Sequence, residues 1–141
     1  MGATNKKPQI SVIIPAYNEE KYILKTLQSL AHQEYKEFEI IIVLSACTDR
    51  TEPVVKRFIK LRPELRISLI TEPRPGVSIA RNKGAKFAKG NILFFLDADT
   101  TIDHNCLYKI NRYMTTDYSI ATCHSKPEPW SLIFSVLVGI K

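Results

Sequence analysis

Ile92-Leu93-Phe94-Phe95-Leu96-Asp97-Ala98-Asp99 runs five apolar residues straight into a pair of carboxylates. An apolar run of this kind, without polar alternation, predicts a strand covered on both faces, the pattern of a parallel sheet. Working outward, Ile10-Ser11-Val12-Ile13-Ile14 and Ile40-Ile41-Ile42-Val43-Leu44 read the same way. Leu65 to Ile70 is a weaker strand, and Tyr118 to Cys123 is a candidate fifth. Helical patterns lie between them. Ile23, Leu27 and Leu30 fall at i, i+4 and i+7, with Asn18 as the expected N-cap ahead of Glu19 and Glu20. Val54, Val55, Phe58 and Ile59 mark a second helix, with Asp49 and Glu52 at capping-box spacing. A third is expected from Ser78 to Lys89, after the Pro75-Gly76 turn and stopped by Gly90. Its Ala80, Gly84, Ala85 and Ala88 let a helix lie close to a sheet. Strand and helix alternate, so the fold class is α/β, built from right-handed βαβ crossovers on a mainly parallel sheet.

The composition agrees with one ordinary folded domain. The chain has 141 residues, of which 45% are hydrophobic and 24% charged, which argues against disorder. Lys+Arg 20 against Asp+Glu 14 gives a net charge of +6, which suits anionic partners without choosing among them. Cys47, Cys106 and Cys123 are dispersed and lack C-x-x-C spacing, which points away from a disulfide framework or zinc site and toward a reducing, cytoplasmic setting. The polar start is not a secretory signal, and no apolar run reaches the roughly 18 to 20 residues that span a bilayer.

In a parallel sheet, ligands bind beyond the carboxyl ends of the strands. That rule nominates Pro15 to Glu19, Ser45 to Asp49, and Asp97 to Asp99. Asp97 and Asp99 can face one site if the backbone turns there, and oxygen donors of this kind suit a hard divalent cation, Mg²⁺ or Mn²⁺. D-x-D alone is more often an acid pair that solvates a loop or caps a helix, and its place at the end of a buried strand is what favours the metal reading. Tyr17 offers a ring to stack on a base, and Pro15 suits a strand end because it cannot donate to a ladder. The segment Arg74 to Gly90 carries Arg74, Arg81, Lys83, Lys86 and Lys89 with no acid. Arg81 lies one turn into its helix, where an anion is favoured. Lys83, Lys86 and Lys89 read as a solvated helix face. His32, His104 and His124 have no partners at metal-ligand spacing beyond Asp103 beside His104. G-x-S-x-G, Walker A and G-x-G-x-x-G patterns are missing.

Taken together, four segments resemble the nucleotide-sugar-binding half of a family 2 glycosyltransferase of the GT-A fold. They are Ser11 to Glu20, Glu39 to Val43 leading into Cys47 to Thr51, Pro75 to Ala85, and Phe94 to Asp99, in the family's order and spacing over roughly residues 9 to 103. The resemblance implies a Rossmann-like βαβ sandwich, a UDP- or GDP-linked sugar donor and a divalent cation (Mg²⁺ or Mn²⁺). It implies that Pro15, Ala16, Tyr17 and Glu19 line the nucleoside pocket and that Arg81 holds base or diphosphate. Asp97 and Ala98 would then lie near ribose, with Asp97 also near the metal and Asp99 as its direct ligand. Inverting transfer to an acceptor hydroxyl on a glycan or lipid, with a carboxylate base, is implied in the same way. Many members have Asp-Asp where this chain has Leu44-Ser45, which leaves Ser45 to offer a hydroxyl to the nucleotide.

The corresponding division is a flexible segment 1–8, a donor-binding domain 9–125, and the start of an incomplete acceptor-side part at 126–141, with the catalytic base expected beyond Lys141. Glu128, between two prolines, lacks the context of that base. Trp130 to Ile140 is expected to pack on the sheet; a patch awaiting the acceptor half and a membrane-surface contact are the other readings. Three alternatives remain open: a non-catalytic nucleotide-sugar-binding module, a sugar-phosphate nucleotidyltransferase, and a nucleic-acid binder. The second lacks its glycine-rich loop between Pro15 and Glu20. The third lacks aromatics interleaved with basic residues, so no nucleic-acid partner is expected.

Overall fold

The computed structural model describes residues 7–114, 120–124 and 135–140. The elements are β1 (Ile10–Ala16), α1 (Ile23–Ala31), β2 (Phe38–Ser45), α2 (Thr51–Leu61), β3 (Ile67–Glu72), α3 (Val77–Phe87), β4 (Ile92–Phe95), α4 (Cys106–Tyr113), β5 (Ile120–His124) and β6 (Ser135–Ile140). They form one six-stranded sheet in the order β3-β2-β1-β4-β6-β5. The first four strands in that order are mutually parallel, and β6 pairs antiparallel with both β4 and β5.

Alternate residues of β1 feed two separate cores, as strand geometry requires. Ile10, Val12 and Ile14 pack with Ile23, Leu27 and Leu30 of α1, Val55 and Phe58 of α2, and Leu107 and Ile110 of α4. Ile13 faces the other way, with Ile41, Val43 and Ala80. The second layer is thin because α3 lies very close. A Cβ on Gly84 would fall 2.5 Å from Ile13 Cγ2 and 3.3 Å from Val43 Cγ2. The small residues of this helix therefore do what their pattern predicts.

Several local expectations are corrected. Asn18 is not a helix cap: it sits at φ 53°, and α1 begins at Ile23 after Glu19 O accepts hydrogen bonds from the Tyr22 and Ile23 amides. The capping box is half realised. Asp49 Oδ1 accepts the Thr51 amide at 2.9 Å, but Glu52 pairs with Lys56 instead of reaching back. The weak strand is displaced to Ile67–Glu72, because Leu65 closes a turn onto Arg62 and Glu72 stays in register opposite Ser45. Gly90 does not stop α3, which ends at Phe87. It is needed for close approach: a Cβ there would meet Ser11 N at 2.7 Å and Ile10 C at 2.8 Å. The Gly90 amide donates to Ser11 Oγ at 2.8 Å, and Ser11 Oγ donates to the buried Glu39 carboxylate at 2.6 Å. The last segment joins the sheet as β6 from Ser135, inserted between β4 and β5, rather than lying on a face. Glu128, Trp130 and most of segment 1–8 lie outside the described residues. No helix among the described residues is long and apolar enough to cross a membrane.

Candidate functional site

The chain reverses direction across the sheet at β1, whose neighbours β2 and β4 are reached by crossovers on opposite sides. A crevice at the strands' carboxyl ends follows from that topology. It is present as a cavity of about 400 Å³. Pro15, Ala16, Tyr17 and Glu19 line it from the end of β1 and the loop after it, and Ser45 from the end of β2. Val77 and Arg81 enter from α3, and Asp97, Ala98 and Asp99 from the segment after β4. The nine residues that the resemblance assigns to nucleotide sugar or metal thus meet in one place, whereas Asn18 and residues 46–49 of the nominated segments do not line it. Of the lining residues, Val77 alone was not expected; an apolar helix-opening residue carries no chemical signal.

Hydrogen bonds from residues outside the cavity hold its walls. Asn18 Oδ1 accepts the Thr48 amide at 2.8 Å, and Asp49 Oδ2 accepts the Glu20 amide at 3.1 Å. Glu20 returns a bond from the other side by accepting the Arg50 amide at 3.0 Å, while the Glu19 amide donates to Thr51 Oγ1 at 2.8 Å. The loops after β1 and β2 are therefore stitched side chain to backbone. Each contains one non-glycine residue at positive φ, Asn18 at 53° and Ala46 at 48°, a conformation that surrounding contacts must impose. The acidic segment is pinned to α1 and to the turn that follows it. Thr26 Oγ1 donates to Ala98 O at 2.7 Å, and Gln33 Nε2 to Asp103 O at 2.7 Å. Thr26 and Gln33 were also missed. For Thr26 the available signal was a hydroxyl residue inside the Ile23, Leu27, Leu30 stripe.

The cavity is acidic with one cation set into it. Arg81 Nη2 donates to Asp97 Oδ1 at 2.8 Å, and Arg81 Nε is buried without a partner among the described residues. Burial, then the negative charges of Asp99, Asp49 and Asp97, push the Glu19 carboxyl above its ordinary value. Burial also raises Asp49, but hydrogen bonds from the Thr51 hydroxyl and amide and from the Glu20 amide outweigh it and hold Asp49 below its usual range. Asp99 is exposed, with only a long 3.3 Å bond from Thr100 Oγ1. Among the described residues, no three His, Cys, Asp or Glu side chains are grouped to hold a metal ion. The α3 N-terminus, where Gly76 at φ 139° precedes Val77, has no side-chain cap and no acid in its first turn. Its amides leave a partial positive charge at the cavity edge.

Two expectations change here. Ser45 lines the cavity, but its hydroxyl donates to Arg74 O at 2.9 Å, so it retains only its acceptor capacity toward a ligand. Lys83 is not part of a solvated face: its Nζ donates to Thr71 O at 2.8 Å and pairs with Glu72 at 3.2 Å. Glu72 also receives the Arg74 side chain, at 2.9 Å from Nε. The Arg74 side chain and amide, opposed by burial and aided by Lys83, lower the Glu72 carboxyl from 4.5 to about 2. Since the folded-state value is depressed, the contribution to stability is complete above pH 4.5 and lost as pH falls toward about 2. In urea denaturation across that window, the stability gap between wild type and Glu72→Gln should close as pH falls. A gap that stays constant would contradict the ion-pair account.

A mainly parallel α/β sheet with an acid-bearing cavity at the carboxyl edge of its parallel strands defines a ligand-binding class rather than a single activity. Comparison with known proteins narrows it. Residues 11–132 match Glycosyl transferase family 2, and the chain belongs to that family, with its GT-A fold. It is 32% identical over 134 residues to glycosyltransferase GlyA of Streptococcus pneumoniae, covering 93% of this chain and 19% of that protein. Among solved structures, TarS 1–349 of S. aureus in complex with UDP-GlcNAc aligns with a TM-score of 0.67 and 33% identity, over 75% of this chain and 31% of that one. The mannosyltransferase PcManGT of Pyrobaculum calidifontis, in complex with GDP-Man and Mn²⁺, aligns with a TM-score of 0.78 and 27% identity, over 89% and 37%. The chain therefore spans well under half the length of these proteins.

Proposed function

We propose that residues 9–125 form the donor-binding part of an inverting glycosyltransferase, and that the acceptor-side part begins at about residue 126. The observation carrying this is the meeting of four separate sequence segments in one cavity at the carboxyl edge of the sheet. In this reading the exposed ring of Tyr17 stacks on the base and Pro15 and Ala16 form the floor of the nucleoside pocket. Glu19 and the Ser45 oxygen accept from base or ribose. Arg81 and the uncapped α3 N-terminus receive the diphosphate. Asp97, beside Ala98, and Asp99 offer the oxygen donors that Mg²⁺ or Mn²⁺ prefers, and the mutual repulsion that raises Glu19 favours a cation among them. Two protein carboxylates leave coordination positions for phosphate oxygens. When bound there, such an ion would stabilise negative charge developing on the leaving diphosphate. UDP, UDP-GlcNAc and GDP-Man in the related structures support a nucleotide-sugar donor.

The reading is tested by calorimetric titration of UDP and GDP in the presence of Mn²⁺. Tyr17→Ala should weaken the preferred nucleotide roughly tenfold, the scale of one base–aromatic stack. Binding of neither nucleotide by wild type, or unchanged affinity in the variant, would contradict it.

A further inference from the structure

A second cavity, of about 460 Å³, lies on the flank of α3 opposite Val77 and Arg81, against the end of edge strand β3. Glu72 forms its base. Only 4% of that side chain is exposed, and it holds the Arg74 guanidinium and the Lys83 ammonium in place by ion pairs. Lys86 completes the basic wall, and its side chain makes no hydrogen bond or ion pair with another described residue. Three cations and one carboxylate line the cavity, a surplus of two positive charges. Ile79 and the exposed ring of Phe87 provide an apolar wall beside them. Surface ion pairs normally neutralise one another; here the buried acid is outnumbered and serves to orient its partners.

We infer that this cavity is a second ligand site, separate from the donor cavity, that takes a phosphate monoester attached to a small organic group. A phosphate monoester carries close to two negative charges at neutral pH and several acceptor oxygens, which matches the surplus charge and the donors. The guanidinium fork suits paired phosphate oxygens, and the Lys86 ammonium supplies a point charge. The apolar wall then contacts the carbon skeleton of the ligand. The inference does not depend on the donor reading, because the side chains of Arg74, Lys83 and Lys86 do not line the donor cavity.

The phosphate has two chemical sources, a soluble phosphorylated polyol and a lipid headgroup, and the probes separate them. Glycerol 3-phosphate is titrated into the 141-residue chain, and sedimentation is measured with phosphatidylcholine vesicles with and without phosphatidic acid. The proposal expects saturable binding of one probe, weakened about tenfold or more in Lys86→Glu and unchanged in Arg81→Gln. Loss of glycerol 3-phosphate binding in Lys86→Glu identifies the soluble source. Loss of sedimentation with phosphatidic acid, without glycerol 3-phosphate binding, identifies the lipid. Retention of neither probe by wild type, equal binding by Lys86→Glu, or loss only in Arg81→Gln would overturn the second site.

Discussion

Asp99→Ala should remove the Mn²⁺-dependent part of nucleotide affinity while leaving the fold intact. The two halves of that expectation rest on different features. Asp99 is exposed and accepts only the long bond from Thr100, so its loss disturbs no packing and should change stability by less than about 0.5 kcal/mol. Its neighbour Asp97 is unsuitable for the same test, because removing it also frees Arg81 from a 2.8 Å pair. Even indirect supports of a metal ligand contribute about 10- to 100-fold in affinity, so loss of a direct carboxylate should reach at least that. Calorimetry with UDP or GDP, repeated with Mn²⁺ and with chelator, reads the effect. If the metal-dependent gain in affinity is the same in wild type and Asp99→Ala, Asp99 is not a ligand.

Gly90→Ala should destabilise the chain by roughly 3 kcal/mol, at the upper end of ordinary overpacking. The added methyl meets backbone, Ser11 N at 2.7 Å and Ile10 C at 2.8 Å, in a strand paired on both sides. Neither can recede without breaking ladder bonds. Displacement also strains the contact through Ser11 to the buried Glu39 carboxylate, which accepts the Lys89 amide at 2.7 Å. Gly84→Ala, whose closest contact is a side-chain methyl of Ile13, should cost less despite the shorter 2.5 Å approach. Urea denaturation of both variants measures the order. A Gly90→Ala variant within about 0.5 kcal/mol of wild type would show that β1 and the residue 90 turn can separate freely.

The central sheet was legible because its strands are nearly pure apolar runs: Ile10, Ile40 and Ile92 each open a strand or lie within one, at full burial or close to it. The cavity was legible for a related reason. Tyr17, Asp97 and Asp99 are polar or aromatic groups placed where an apolar run stops, and strand ends of a parallel sheet share one edge. What escaped was the local detail that depends on distant partners. Asn18 has the composition of a cap, but it bonds across to Thr48, thirty residues away. Gly90 has the position of a helix stop, but its constraint is the backbone of β1. Lys83 sits in a run of basic helix residues, and only the fold shows that Thr71 and Glu72 lie beneath it. The strand order also required the structure, since nothing in Ser135–Ile140 specifies insertion between β4 and β5.

The most direct test is a crystal structure of the chain grown with Mn²⁺ and whichever of UDP or GDP binds. The account predicts the base against Tyr17, the diphosphate between Arg81 and the first turn of α3, and the ion bridging its oxygens to Asp99. A nucleotide seated elsewhere on the surface, or an ion bound away from Asp97 and Asp99, would contradict it.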